Sequence, residues 1–530
     1  MSKQNRREAF IVFAAVAGVI SGVVFLAAAE LSALLVARDA SPLLAVGSFV
    51  IDIVPQPLKE FAISTFGEFD KVALLIGLGL AVVIASAAAG ILQLLWPPVG
   101  MIVLGIAGAA SVAATTTRAG VTPLAFLPSV IGAIAGIAAL VFLSRRLRAW
   151  QRSATAPAAD GDSGDSTHGA GSAVAVDRRR FFALAGIAGA SALIVGVTSR
   201  VVSATASSVA AIRKGLRLPA AQTSVTIPDG AELDIPGISP LFTPNADFYR
   251  VDTALTVPTV DPASWRLVID GMVDQRIELT FDELVEMGLD EYAITLTCVS
   301  NVVGGDLVGN AMWLGVPIRD VLRLASPHAD ADMVLSRSVD GYTASTPLSA
   351  LTDDGLDAIL AVGMNGQPLP LEHGFPVRMV VPGLYGYVSA TKWVTELKVT
   401  TFEKDEAYWT PRGYSAEAPI KFSSRIDTPK IGKSVAAGRI PIAGVAWAQT
   451  VGIEAVEVSI DNGDWQRATL STPINTDTWV QWFLEWDAEP GNHYVAVRAI
   501  NKNGEMQVEE AAPIAPDGST GWQRSLIAVS

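Results

Sequence analysis

Long apolar stretches dominate the chain up to residue 143, whereas short alternating runs dominate it from residue 219 onward. A helix needs roughly 20 apolar residues to cross a bilayer. The pattern therefore predicts a four-helix transmembrane domain over residues 1–150. Its segments are Ala9–Val36, Val72–Leu95, Val99–Thr117 and Val121–Leu143, with a tight turn at Trp96-Pro97-Pro98 and a long polar loop from Arg38 to Lys71.

Basic residues flank both ends of this domain. They are Lys3, Arg6 and Arg7 before it, and Arg145, Arg146, Arg148 and Arg152 after it. Because basic residues favour the cytoplasmic side, we expect both ends to be cytoplasmic, in a bacterial cytoplasmic membrane. Glu30 lies near the outer end of the first segment. Two interpretations fit it equally well: a functional carboxylate within the membrane, and a side chain that extends to the membrane interface.

A segment rich in Gly, Ser, Asp and Ala, "ATAPAADGDSGDSTHGAGSAVAVD", follows the membrane domain and predicts a flexible cytoplasmic linker over 151–180. Arg178, Arg179 and Arg180 then precede an apolar run, which predicts a fifth transmembrane helix over 181–205 with all later residues outside the cytoplasm. Two arginines, one further residue and Phe-Phe also resemble a twin-arginine export signal. That pathway moves folded domains, which suits a cofactor inserted in the cytoplasm.

The remainder predicts an α+β domain over 206–424 and a β-sandwich over 425–530. "WRLVID" alternates as a strand does, "TFDELVEMG" opens with a Thr-x-x-Glu capping box, and "GVPIRDVLRLA" has the apolar spacing of a helix. Alternating runs such as "WVQWFLEWDA" and "HYVAVRAINKNGEM" lie beyond Ser424. We place the boundary there because "SSRIDTPKIG" is typical of a loop.

The net charge and the cysteine content limit the functions that this chain can have. The net charge of −14 argues against nucleic-acid binding, which needs a basic face. Cys298 is the chain's single cysteine, so it cannot form an internal disulfide. It is either an inert buried side chain or a selected thiolate, as a nucleophile or a metal ligand.

Several blocks, in order, resemble the sulfite oxidase family of molybdopterin enzymes. They are "NADFYRVDTALTVP", "LTCVSNVVGGDLVGNAMW" around Cys298, "DGYTASTPL" and "LEHGFPVRMVVPGLYGYVSATKW". The resemblance runs from about Asn245 to the C-terminus, where the strand-rich tail is similar to the family's immunoglobulin-like dimerisation domain. It implies that Cys298 is the protein ligand of molybdenum held by one pterin dithiolene, a role that suits a soft thiolate. A cysteine hydrolase with His373 as base is the alternative, but no nucleophile signature surrounds Cys298.

The resemblance also implies a set of cofactor and substrate residues. Asn245, Phe248, Tyr249, His373, Arg378, Ser389 and Lys392 would hold the pterin and its phosphate. Without the resemblance, Lys392 also fits a surface cation–π contact with Trp393. His373 also fits a loop histidine with no ligand role. Arg378 lies in an apolar strand, where an unpaired charge is costly, so a ligand role is favoured.

Tyr342 matches the family's active-site tyrosine, and Arg412 its anion-binding arginine, with Arg250 as a second candidate. The family's Arg-Asn-His run reads Arg250-Val251-Asp252 here, which weakens the case for sulfite.

The resulting prediction is a membrane-anchored oxidoreductase that oxidises sulfite or a similar sulfur oxyanion. Two alternatives stay open: a reductase of S-oxides or N-oxides, such as methionine sulfoxide, and a cofactor-binding subunit of a membrane redox complex. The sequence has no Cys-x-x-Cys-His motif, and its histidines, at 168, 328, 373 and 493, lie outside the four apolar segments. We therefore expect no haem and a separate electron-transfer partner. The similarity of the tail to a dimerisation domain implies a homodimer. The four-helix domain fits an anchor, an assembly surface or a quinone contact.

Overall fold

A computed structural model describes residues 3–36, 42–54, 70–116, 124–155 and 208–530, together with positions 58 and 65. These residues form two compact units. The first lies within residues 1–207 and also includes 253–256, and the second comprises 208–252 and 257–530. Most of the predicted linker, and all of the predicted fifth transmembrane helix with its arginine signal, lie outside the described residues.

The first unit is helical. It contains α1 (Lys3–Val36), α2 (Pro42–Ile53), α3 (Asp70–Leu95), α4 (Val99–Thr116) and α5 (Leu127–Thr155). Four of these, α1, α3, α4 and α5, are long and apolar enough to span a membrane. Glycines let the helix backbones approach closely, since a Cβ at Gly108 or Gly136 would lie within 2.8 Å of a side chain on a neighbouring helix. The four predicted spans are therefore found as helices.

Two details of that prediction are wrong. The segment predicted as a long polar loop contains α2, whose sequence "PLLAVGSFVIDI" is largely apolar. The fourth predicted span corresponds to α5. This helix begins at Leu127 rather than Val121 and continues past Leu143 to Thr155, because the arginine-rich stretch after the apolar run keeps helical hydrogen bonding. The Glu30 carboxylate accepts a hydrogen bond from the Leu43 amide at the start of α2.

The second unit begins with helical residues 208–215 and continues as an α+β fold. Its strands in the first part are β1 (Arg266–Gly271), β2 (Ile277–Thr280), β3 (Asp290–Thr297), β4 (Val308–Pro317), β5 (Met333–Ser338), β6 (Thr343–Pro347), β7 (Ile359–Met364), β8 (Gln367–Pro368), β9 (Arg378–Val380) and β10 (Val394–Thr400). Its helices are α6 (Phe281–Glu286), α7 (Ile318–Ala325), α8 (Leu348–Thr352) and α9 (Gly386–Ser389), with 3-10 turns at Leu371–His373 and Thr410–Arg412.

Two five-stranded sheets frame this part. One has the order β2-β1-β10-β5-β6, with β1 and β10 parallel, and the other has the order β3-β4-β7-β8, with β9 pairing β7. A buried cluster including Trp265, Leu267, Val334 and Leu397 fills the core between the strands and α6 and α7. The predicted capping box at α6 is present, since Thr280 and Glu283 each bind the other's backbone amide.

The remaining strands form a two-sheet sandwich. They are β11 (Ser423–Thr428), β12 (Gly438–Trp447), β13 (Ile453–Ile460), β14 (Gln466–Arg467), β15 (Thr469–Leu470), β16 (Val480–Ala488), β17 (Gly491–Asn501) and β18 (Gln523–Val529). One sheet runs β11-β12-β16-β15 and the other β14-β13-β17-β18. Alternating side chains such as Val456, Trp482 and Val497 form the buried layer between them.

Two local predictions in this unit are wrong. Gly315–Pro317 extends strand β4 instead of starting a helix, because these residues pair with Ile359–Ala361 of β7, and the helix begins only at Ile318. "SSRIDTPKIG" does not begin as a loop. Its first six residues are β11, which pairs with β12 and so belongs to the sandwich.

Polar contacts join the sandwich to the segment around Cys298. The Arg425 guanidinium donates to the Gly305 carbonyl at 2.9 Å, and the Ser519 hydroxyl donates to the Asn301 carbonyl at 2.7 Å. The Trp479 indole donates to the Leu241 carbonyl at 2.9 Å. The sandwich therefore holds the loop that follows the cysteine in place.

Candidate active site

Cys298 stands at the end of the buried strand β3 and is 8% exposed. Its amide donates to the Leu307 carbonyl at 2.9 Å, and its carbonyl accepts from the Asn301 amide at 3.0 Å. The Asn301 side chain in turn accepts from the Leu307 amide at 2.9 Å. Gly304 completes this loop at a φ of 76°, a conformation that favours glycine. The loop thus fixes the position of the thiol.

An aromatic shelf lies beside this loop. The Phe248 ring stacks on Tyr249 with a centroid separation of 5.2 Å and meets His373 at 5.6 Å and Trp313 at 5.8 Å. A Cβ at position 309 would lie 2.8 Å from the Phe248 ring, so Gly309 is required for this close approach.

Arg378, on β9, is a buried guanidinium at 5% exposure. It donates to the Met379 and His373 carbonyls at 3.3 and 3.2 Å, and its Cζ lies 5.1 Å from the Trp313 ring centroid. No carboxylate pairs with it among the residues that the structure describes. Burial lowers the pKa of Arg378 to about 10, so it remains charged at neutral pH. A buried cation without a protein anion points to a ligand anion.

Lys392 lies in the same region, with its side chain 10% exposed. Its Nζ forms a 2.8 Å ion pair with Asp252 and lies 4.9 Å from the Trp393 ring centroid. The contact with Trp393 is therefore real, but the lysine is buried rather than on the surface. Burial lowers the pKa of Lys392 to about 8, while Asp252 opposes that shift.

His373 is buried in the 3-10 turn Leu371–His373, at 3% exposure. Its Nε2 lies 3.0 Å from the Asn245 carbonyl. Burial, followed by the nearby Arg378, lowers the pKa of His373 to about 4, so the imidazole is neutral at physiological pH. A neutral imidazole whose Nε2 is near a carbonyl is set up as a hydrogen-bond donor there.

Two other predicted cofactor residues are occupied by internal hydrogen bonds. The Asn245 amide group donates to the Met364 carbonyl at 3.3 Å and accepts from Asn365 at 2.8 Å. The Ser389 hydroxyl donates to the carbonyls of Leu384 and Tyr385, both at 3.0 Å. These side chains shape the backbone around the shelf.

Tyr342, which the Cys298 thiol influences, begins a second row of side chains. Its hydroxyl donates to the Tyr387 carbonyl at 2.8 Å, and its ring lies 5.7 Å from Tyr408. Arg412 stacks on Tyr408 at 3.8 Å from its ring centroid, and its Nη1 donates to the Tyr408 carbonyl at 2.5 Å. Burial, together with the nearby Cys298 thiol, raises the pKa of Tyr342, which keeps the phenol protonated.

The structure brings the thiol together with cations and phenols. Burial raises the pKa of Cys298, while hydrogen bonds from Ser300 and the charge of Lys392 act in the opposite direction. The same thiol contributes to the raised pKa of Tyr249. A free thiol with a raised pKa is a poor nucleophile, and Nε2 of His373 faces Asn245. This arrangement gives no support to the cysteine hydrolase.

Two residues of the site were missed. Asp252 was noted only as a departure from the family run, yet it pairs with Lys392 and with Arg250, each at 2.8 Å. Trp313 supplies the ring beneath Arg378. A carboxylate two positions from an expected anion-binding arginine was the available signal for Asp252, whereas nothing local distinguished Trp313.

Comparison with known proteins agrees with this geometry. The family described as "Oxidoreductase molybdopterin binding domain" matches residues 254–409, which include Cys298, Arg378 and Lys392. Mitochondrial sulfite oxidase of Mus musculus is 30% identical over 321 residues, covering 51% of this chain and 58% of that protein. Sulfite oxidase of Arabidopsis thaliana is 27% identical over 352 residues, covering 55% and 89%.

A solved structure of the sulfane dehydrogenase SoxCD from Paracoccus pantotrophus is 21% identical, covers 57% of this chain and 88% of its own, and has a TM-score of 0.49. The chain spans 58% of the length of the mouse relative.

Residues 254–409 are therefore a molybdopterin-binding oxidoreductase domain. Over about half of its length, the chain is similar to members of the sulfite oxidase family.

The residues around Cys298 fit the cofactor that this family implies. Buried Arg378 lacks a carboxylate partner among the described residues, and the Thr297 hydroxyl, next to Cys298, is buried with no hydrogen-bond partner there. Among the residues that the structure describes, no group of three or more His, Cys, Asp or Glu side chains could hold a metal ion. A metal at Cys298 would thus take most of its ligands from a non-protein group, as a pterin dithiolene provides.

Proposed function

We propose that this chain is a membrane-anchored molybdopterin oxidoreductase that transfers an oxygen atom at sulfur, oxidising sulfite or a similar sulfur oxyanion. The observation that carries the proposal is the pairing of a single buried thiol with buried cations. Cys298 is 8% exposed, and Lys392 is close enough to influence its pKa. A soft ligand beside charges that bind a phosphate suits a metal-pterin centre.

Each side chain has a distinct task in this proposal. When bound, the molybdenum-pterin cofactor would supply the two-electron oxygen-atom transfer. Cys298 would hold the metal, and Arg378 and Lys392 would bind the pterin phosphate, the former in a bidentate manner. Tyr342, kept protonated by burial, would turn its hydroxyl from the Tyr387 carbonyl to donate a hydrogen bond toward the substrate oxygen. Arg412 would bind the anionic substrate at the end of the Tyr342–Tyr408 row.

One observation favours a second candidate, the reduction of a neutral S-oxide or N-oxide. Nε of Arg250, one of the two candidate anion-binding groups, lies 2.8 Å from Asp252. A carboxylate at this distance offsets the positive charge that a sulfite dianion would meet. A neutral oxide needs only hydrogen-bond donors, which Tyr342 can provide.

Replacing Arg412 with methionine separates these two candidates. Loss of a charge-assisted hydrogen bond costs about 1.5–3 kcal/mol, so we expect the KM for sulfite to rise about ten- to a hundredfold. Tyr342→Phe should act mainly on kcat, since it removes a hydrogen bond but no charge. Steady-state kinetics at two salt concentrations check both effects, because the anion contact should weaken as salt rises.

Arg439→Met is the control, since Arg439 is 72% exposed in the sandwich and pairs with Glu485. Unchanged sulfite kinetics in Arg412→Met, combined with better turnover of a neutral sulfoxide, would replace the oxidase with the reductase.

The membrane arrangement is a further part of the proposal. Both ends of the four-helix unit would be cytoplasmic, and the molybdopterin domain would lie outside after export through the Arg178–Arg180 signal. Electrons would pass to a separate partner, without haem in this chain, and the sandwich would serve as an immunoglobulin-like dimerisation domain. A cofactor-binding subunit of a redox complex has the same features, but would show no turnover without its partner.

Replacing Arg178, Arg179 and Arg180 together with lysine tests the export signal. The change keeps the positive charge and removes only what a twin-arginine receptor reads. We expect the molybdopterin domain to remain cytoplasmic and to resist protease added to spheroplasts. The same replacement at Arg145 and Arg146 is the matched control and should leave the domain accessible. If the triple variant is as accessible as the wild type, charge alone sets the topology.

A further inference from the structure

Asp252 shares one carboxylate oxygen between two cations. Its Oδ2 lies 2.8 Å from Nζ of Lys392 and 2.8 Å from Nε of Arg250. The Asp252 side chain is 5% exposed and that of Lys392 is 10% exposed, so this contact is shielded from water. Charge interactions in such surroundings are considerably stronger than at an open surface.

The pair lies at the candidate active site. Lys392 also donates to the Glu372 carbonyl at 3.3 Å, next to His373, and its charge acts on the Cys298 thiol. Arg378 and Arg250 both lower the pKa of Lys392, which shows that three cations are close to one another. Without a carboxylate, this cluster would attract a small dianion strongly.

We propose that Asp252 is a specificity-determining residue that weakens the binding of small dianions by neutralising Arg250, the cation next to the pterin-phosphate ligand Lys392. The substrate class it favours is a neutral or singly charged oxide, as in the second of the two candidate functions. This inference rests on the proposed oxygen-atom transfer for its meaning in catalysis.

Sulfate binding to the purified, cofactor-loaded full chain tests the proposal. Sulfate is a dianion that does not react, and isothermal titration calorimetry measures its binding directly. We expect weak binding in the wild type, with a Kd above about 1 mM. Asp252→Asn keeps the shape and removes the charge, so sulfate should bind about tenfold more tightly or better at pH 6.5. Binding of neutral dimethyl sulfoxide should stay within about twofold.

Asp252→Glu retains the charge and should restore weak sulfate binding, whereas a purely structural aspartate would not show this pattern. Asp252→Ser is a second neutral variant if Asp252→Asn does not fold. The proposal is overturned if wild-type protein binds sulfate with a micromolar Kd, or if a folded neutral variant binds it no more tightly than the wild type. Because no turnover is needed, this result stands apart from any failure of the proposed reaction.

Discussion

Serine in place of Cys298 is expected to reduce turnover to below about 1% of wild type, because a hard hydroxyl replaces the soft thiolate that molybdenum prefers. The pterin should largely remain bound, since the groups proposed to hold it, Arg378 and Lys392, are unchanged. The substitution exchanges one atom at an 8% exposed position, so folding should be little affected. Turnover and bound pterin are measured on the same preparation.

Ser300→Ala provides the matched control. Ser300 forms hydrogen bonds with the thiol that lower the pKa of Cys298. Its loss should leave most of the turnover, because a metal-bound thiolate needs no helper group to lose its proton. Near-normal activity in Cys298→Ser would remove the metal-ligand role, and equal loss in both variants would point to damage of the loop instead.

Methionine in place of Arg378 should leave less than about 10% of the bound pterin, since a buried bidentate contact to a phosphate is lost. The effect of this replacement on the melting temperature should be opposite to the effect of breaking a structural ion pair. Replacing a buried charge with an apolar side chain of similar size is often neutral or stabilising. We therefore expect the cofactor-free variant to melt at the same temperature as cofactor-free wild type, or higher.

Arg498→Met is the comparison for this result. Arg498 is 15% exposed and forms a 2.7 Å ion pair with Glu457 in the sandwich. Its replacement leaves a carboxylate without its cation, so the melting temperature should fall while the pterin stays bound. Full pterin content in Arg378→Met, or a clear loss of stability with no loss of pterin, would show that Arg378 is structural.

Local chemistry in the sequence was sufficient to predict many of the elements. The capping box at Thr280 and the four long apolar helices near the N-terminus are signals within one segment, and the structure contains both. The same holds for the alternating strands of the sandwich, such as β16 and β17.

Where long-range pairing decides the structure, local signals failed. Gly315 is in a strand because it pairs with Ala361, and β11 is a strand because β12 lies beside it.

The candidate active site shows the same difference between local signals and long-range contacts. A resemblance could suggest Cys298 and Arg378, because each lies in a recognisable block. The partnership of Asp252 with Lys392 joins residues 140 positions apart, and no periodicity reports such a contact. The burial of Lys392 follows from the fold as well, since its neighbours come from separate loops.

X-ray absorption at the molybdenum edge of the purified full chain tests the central claim most directly, because it counts the sulfur atoms bound to the metal. The account predicts stoichiometric molybdenum whose sulfur ligands exceed those of the dithiolene by one, and the loss of that extra sulfur in Cys298→Ser. Absence of molybdenum from protein made in a cofactor-producing host, or an unchanged sulfur count in Cys298→Ser, would contradict it.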